Sequence, residues 1–126
     1  MTILWEERYK VGNSEIDVQH QELFVLINEF LAANGKSPLI ACAMRLFKYT
    51  REHFAFEEAL MKEIGYPAIS HHVEQHNILI SRLNTIAEDV ASDTLDKVNL
   101  TSFLSSWLLD HIGKSDAKLS AYIKLR

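Results

Sequence analysis

The sequence predicts an all-α protein: an antiparallel, up-down-up-down four-helix bundle with an irregular N-terminal arm and a short C-terminal helical tail. Three observations carry that expectation. Apolar residues recur at steps of three and four along four successive segments, the spacing of one face of an α-helix. Short breaks separate the segments, and short connections make successive helices antiparallel neighbours. Glycine and proline number only 4 and 2 in 126 residues, while 48% of the residues are hydrophobic and 24% charged, a helical globular composition.

Residues 1–13 lack a clean period and end at Gly12-Asn13, so they form an arm, pinned to the body by Trp5 and Tyr9. Ser14 opens the first helix, with Asp17 three residues on in the manner of a capping box. This helix buries Ile16, His20, Leu23, Phe24, Ile27 and Leu31. It stops at Asn34-Gly35-Lys36, glycine being the usual residue just past a helix end. Ser37 caps the second helix, and Pro38 sits in its first turn, where a missing N–H is harmless. Its inward stripe is Leu39, Ala43, Leu46, Thr50, His53, Glu57, Leu60 and Ile64, and Gly65-Tyr66-Pro67 ends it. The third helix carries Ile69, His72, His76, Leu79, Leu83, Ile86 and Val90 on one face. Beyond Ala91-Ser92-Asp93-Thr94 the fourth helix buries Leu100, Leu104, Trp107, Leu108 and His111. Its regularity fails at Gly113, and Leu119, Tyr122 and Ile123 mark the tail. No repeat, low-complexity tract or linker divides the chain. Residues 1–126 are expected to form a single domain, with bundle and tail over 14–126.

Composition excludes several classes of function. A net charge of -4 with scattered Lys and Arg leaves no footprint for nucleic acid. A single cysteine, Cys42, rules out an internal disulfide framework and reads as a buried, inert thiol. No apolar run approaches bilayer length, and Trp5-Glu6-Glu7-Arg8-Tyr9-Lys10 carries charge where a signal peptide would be apolar. A cytoplasmic protein without membrane or nucleic-acid partners is expected.

The chemistry lies in the stripes. His53 and Glu57 stand four apart and project together from one helix face, as do His72 and His76. With His20 and His111, every helix contributes at least one imidazole to the interior, whereas His71 is turned away by about 100°. A single histidine on an apolar stripe is ordinarily a satisfied core residue. Five in register would each need a hydrogen-bond partner among stripes built mainly of Leu, Ile and Phe. A metal centre satisfies all of them together. Asp116 lies five residues beyond His111, about 140° away on a regular helix. It can face the same site only if the backbone departs from an α-helix there, which Gly113 is placed to allow, and wide local turns are frequent at functional sites. Imidazoles with carboxylates suit iron, manganese, cobalt or zinc; seven such ligands exceed one tetrahedral zinc and suit two ions bridged by the carboxylates.

Taken together, several motifs resemble the hemerythrins, and the bacterial branch most: Asp17-Val18-Gln19-His20; His53-xxx-Glu57 with Glu58 and Met61; Gly65-Tyr66-Pro67; His72-xxx-His76; and Trp107-Leu108-Leu109-Asp110-His111-Ile112-xxx-Asp116. The likeness runs from Trp5 to about Tyr122, and all seven ligand positions carry the residue type the family uses. The resemblance implies two non-haem irons as cofactor, with oxygen as their ligand. His72, His76 and His111 would hold one iron, and His20 and His53 the other, leaving one position open. Glu57 and Asp116 would bridge the pair beside a solvent-derived hydroxide. Two divalent ions against two carboxylates and a hydroxide leave a small net charge, tolerable in an apolar interior. Helical position places Phe24, Phe56, Leu108 and Ile112, with Trp107 nearby, around the open position.

The resemblance therefore implies reversible oxygen binding, for storage or delivery, rather than an enzyme. An oxygen- or redox-sensing module read by a fused or separate signalling partner is the alternative. A redox enzyme acting on peroxide or nitric oxide ranks below both. A metal-dependent hydrolase ranks last, for want of a general base beside an open metal position.

Overall fold

The protein is described from a computed structural model covering residues 3–125; residues 1, 2 and 126, parts of the expected arm and tail, lie outside the described residues. It is an all-α four-helix bundle. The first two rods are α1 (Ser14–Ala32) and α2 (Lys36–Ile64). The third is α3 (Ile69–Asn84), continued after a break by α4 (Ile86–Ala91). The fourth is α5 (Lys97–Asp110), which passes through a π-helical turn (His111–Asp116) into α6 (Ala117–Lys124).

Several boundaries differ from expectation for local reasons. Asn13, not Ser14, caps α1: its side chain accepts from the Ile16 N–H. The buried Asp17 carboxylate accepts the Val11 N–H at 2.8 Å, so it fastens the arm rather than boxing the helix. Gly35 precedes α2 with φ +91° and takes the place expected of Ser37, which falls inside the first turn. The third rod is broken at Thr85, whose hydroxyl donates to the Arg82 carbonyl at 2.9 Å. Such side-chain bonds compete with the helix ladder. At Gly65 the chain takes the left-handed conformation (φ +65°) that ends α2 at the expected break. Cys42 is half-buried rather than buried, with an Arg45 N–H directed at its sulfur.

The arm is held as its aromatic residues predict. Trp5 packs edge-on against Phe24 at 5.3 Å, and Tyr9 lies 5.8 Å from the same ring. Asn28 clamps the Ile3 backbone with two bonds of 2.8 Å. At the opposite end of α1, Lys97 donates to the carbonyls of Leu31 and Ala33, satisfying groups that a helix C-terminus leaves unpaired. Along α2 the core changes character. Ala43 and Leu46 belong to the main apolar cluster, with Phe30, Leu79 and Leu100. Met61 belongs to a smaller one with Tyr66 and Leu119. Between them the buried residues of α2 include Thr50, His53 and Glu57. Among the described residues no helix is long and apolar enough to cross a membrane.

Candidate metal centre

Five histidines and two carboxylates meet in that interval. His20 comes from α1, His53 and Glu57 from α2, His72 and His76 from α3, and His111 and Asp116 from the π-helical turn. All seven are buried, Glu57 and Asp116 completely. His71 is exposed. Helix periodicity explains the α2 and α3 pairs. The last pair depends on the π turn, whose wider winding brings Asp116 round to His111, with Nε2 and Oδ1 3.2 Å apart.

The imidazoles divide into two groups. His72, His76 and His111 gather with Glu57, and His20 and His53 gather with the same glutamate. Glu57 places one oxygen in each group. Its Oε1 lies 3.0 Å from His76 Nε2 and 3.3 Å from His72 Nε2, while Oε2 lies 3.4 Å from His53 Nε2. Asp116 does the same: Oδ1 lies 3.0 Å from His72 Nε2, and Oδ2 lies 2.9 Å from His20 Nε2. Both carboxylates therefore span the groups, one oxygen to a side.

Protons alone satisfy this arrangement poorly. His76 and His111 turn their Nε2 atoms toward each other at 3.2 Å. Their Nδ1 atoms are engaged outside, with Glu58 at 2.9 Å and with the Gln75 amide oxygen at 2.8 Å, and His53 Nδ1 faces the Gln19 amide oxygen. An Nδ1–H donated outward leaves a lone pair on Nε2, as in metal-bound histidines. Buried atoms without a hydrogen-bond partner cluster here: both ring nitrogens of His20, His53 Nε2, Glu57 Oε2 and both oxygens of Asp116. Native interiors seldom leave such groups unpaired. The charge balance points the same way. Burial works against a proton on His20 and on His72, yet the adjoining carboxylates of Asp116 and Glu57 hold each up to about 9. Burial opposes the charge on Glu57 and Asp116 as well, but the surrounding imidazoles hold both carboxyls below their usual range. Two carboxylates that attract cationic charge this strongly, facing imidazole lone pairs, fit divalent metal ions.

Aromatic rings wall the centre. Phe54 stacks on His76 at 3.7 Å and Trp107 on His111 at 4.4 Å, the indole N–H donating to the Gln75 carbonyl. Phe24, Leu108 and Ile112 line a cavity of about 300 Å³ together with Ile3, Tyr9 and Glu6 of the arm. Phe56 and Trp107, expected beside them, do not line it. Phe56 is half-buried, and Phe54, two residues away on α2, is the ring that meets the centre. Periodicity also gave no warning of Gln19, Gln75, Glu58 or Ser115, whose hydroxyl donates to the Gln75 amide oxygen. Their neighbours in sequence are ligand candidates, but Gln19 and Gln75 serve histidines of other helices. That relation exists only once the bundle is assembled.

The Hemerythrin HHE cation binding domain profile matches residues 11–123. A bacteriohemerythrin of Stenotrophomonas maltophilia is 30% identical, the alignment covering 97% of this chain and 82% of that protein. One from Campylobacter jejuni is 31% identical over 93% of this chain and 92% of its own length. One from Pseudomonas aeruginosa is 32% identical, over 91% and 77%. A crystal structure of wild-type hemerythrin superposes with a TM-score of 0.84 at 22% identity, covering 96% of this chain and 97% of the other, and supports the fold. With a matching profile over most of its length and relatives above 30% identity, the chain belongs to the hemerythrin family.

Proposed function

We propose that the chain binds oxygen reversibly at two non-haem irons held by His20, His53, Glu57, His72, His76, His111 and Asp116. The observation that carries this reading is the spanning of both imidazole groups by both carboxylates, with an oxygen of Glu57 and an oxygen of Asp116 on each side. A single ion has no use for such a division. The irons, when bound, supply a centre that takes up oxygen and exchanges electrons with it.

The rest is work for the protein. His72, His76 and His111 offer three Nε2 donors to one ion. His20 and His53 offer two to the other, so the poorer side is the one left able to accept oxygen. Phe24 lies one helical turn from His20, and Ile112 one turn from Asp116, so the cavity they line adjoins the poorer side. Its inner wall of Phe24, Leu108 and Ile112 admits an apolar diatomic more readily than water. At its rim the Tyr9 hydroxyl is already committed, donating to Glu6 at 2.8 Å. On the other side the rings of Phe54 and Trp107 cover the faces of the His76 and His111 imidazoles. The bridging carboxylates offset the cationic charge inside the bundle, which keeps burial of the ions tolerable.

The test is metal analysis of purified protein, with visible spectra of the reduced form before air, after air and then under vacuum. Two irons per chain and a visible band that appears with air and fades under vacuum are expected. Protein purified from iron-supplied cells without transition metal would refute the centre. A band that forms once and never reverses would refute reversible binding.

A further inference from the structure

The histidines of the centre are supported unequally from outside. His53 and His111 direct their Nδ1 atoms at amide oxygens, those of Gln19 and Gln75. His20 Nδ1 is buried with no hydrogen-bond partner. His76 instead faces a carboxylate, its Nδ1 2.9 Å from Glu58 Oε2. Glu58 is 30% exposed and lies with His76 on a surface cleft of about 490 Å³ that also includes Arg51, Asn77 and Ser81.

Ring orientation does not explain the carboxylate. The plane of His76 is already set by Phe54, stacked at 3.7 Å with an interplanar angle of 4°. His111 is matched to it, stacked on Trp107 at 4.4 Å and hydrogen-bonded outside, but to an amide. The two supports thus differ chiefly in the charge of the acceptor. A carboxylate draws the Nδ1 proton more strongly than an amide does, which increases the electron density that Nε2 can donate. A stronger donor favours iron(III) over iron(II).

Resting on the metal reading above, we infer that Glu58 is a positioning residue that acts through His76 to make the His72–His76–His111 side of the pair the easier side to oxidise. His20, unsupported at Nδ1, belongs to the opposite side. The bundle thus builds an electronic asymmetry into two metal positions that share the same bridging carboxylates.

The test compares Glu58→Gln with the reciprocal Gln75→Glu in the full, metal-loaded chain. Glu58→Gln should lower cobalt(II) affinity by about 10- to 100-fold, the usual effect of losing an outer partner. It should also raise the iron reduction potential: a tenfold loss of preference for iron(III) over iron(II) is about 59 mV for a one-electron couple. Gln75→Glu should move the potential the opposite way. Unchanged affinity and potential in a folded, loaded Glu58→Gln protein overturn the inference, as does a shift of both variants in the same direction, the mark of disturbed packing. If Gln75→Glu does not fold, Glu58→Gln decides alone, because its side chain already meets solvent. Wild-type protein that takes up neither cobalt nor iron overturns the metal reading itself. Wild-type protein that loads normally beside an unshifted Glu58→Gln overturns only the role of Glu58.

Discussion

At the scale of single residues, the buried carboxylates favour protons on the imidazoles beside them, and this fixes the sign of two pH effects. His20 and His72, ordinarily titrating at 6.5, are held up to about 9 in the folded chain against the cost of burial by Asp116 and Glu57. Their contribution to the stability of metal-stripped protein is therefore complete below pH 6.5 and disappears as the pH rises to about 9. Glu57 and Asp116, held low, contribute stability above their ordinary values of 4.5 and 3.8 that is lost as the pH falls. The melting temperature of metal-stripped protein should fall between pH 6.5 and 9, and a flat profile would contradict this account. Over the same interval cobalt(II) uptake should release protons and tighten as the pH rises, measurable by titration calorimetry in two buffers. Ile112, 1% exposed on the cavity wall, carries a different prediction. Ile112→Ala should cost about 2–5 kcal/mol of stability and speed autoxidation by admitting water, read as faster decay of the visible band in air. An unchanged decay removes Ile112 from the gate.

At the scale of elements, the π-helical turn decides whether the fourth rod can serve the centre. His111 and Asp116 would point about 140° apart on an α-helix, and the extra width of the turn brings both inward. Gly113 lies in this turn at an ordinary φ, and a Cβ added there would meet nothing within 4 Å. The turn is therefore not a consequence of glycine's freedom. The distinction can be tested with two variants. Gly113→Ala should keep metal uptake and be neutral or stabilising by up to about 1 kcal/mol. Deleting Gly113 shortens the His111–Asp116 spacing from five residues to four, the same-face step of an α-helix, so it should remove the π turn and still load a full pair of ions. Loss of one ion in a folded deletion variant would show that the winding of the π turn itself is required.

At the scale of the whole molecule, the bundle joins two apolar clusters through a polar interval, and metal should tie them together. Ligand present at a thousandfold excess over its dissociation constant adds about 4 kcal/mol to folded-state stability. Chelation should lower the melting temperature by roughly 15 °C for a domain of this size, checked by calorimetry before and after metal removal. Equal melting of stripped and loaded protein would contradict a centre built around metal. Much of this architecture was legible in the chain. The steps of three and four in each stripe located all four rods, because burying one helical face requires that period. They also located six of the seven converging side chains, because an imidazole or carboxylate inside such a stripe is conspicuous; Asp116, five residues beyond His111, falls off the period. The arm was legible through Trp5 and Tyr9, though not its route through Asp17 and Asn28. Thr85 and the caps were misjudged because several neighbouring polar residues can fill each role, and their choice depends on which backbone group lies nearest.

The sequence by itself determined which residues face inward, since helical periodicity is local, and hence that an imidazole from every rod would enter one interior. Only the tertiary structure decided how those rings are shared. The reach of each carboxylate to both groups, the cavity beside Phe24, Leu108 and Ile112, the stack of Phe54 rather than Phe56, and the unequal outer partners of His20, His53, His76 and His111 all join residues from different rods. Such relations depend on the rotation and height of each helix against its neighbours. Packing sets these, and no stretch of chain encodes them alone.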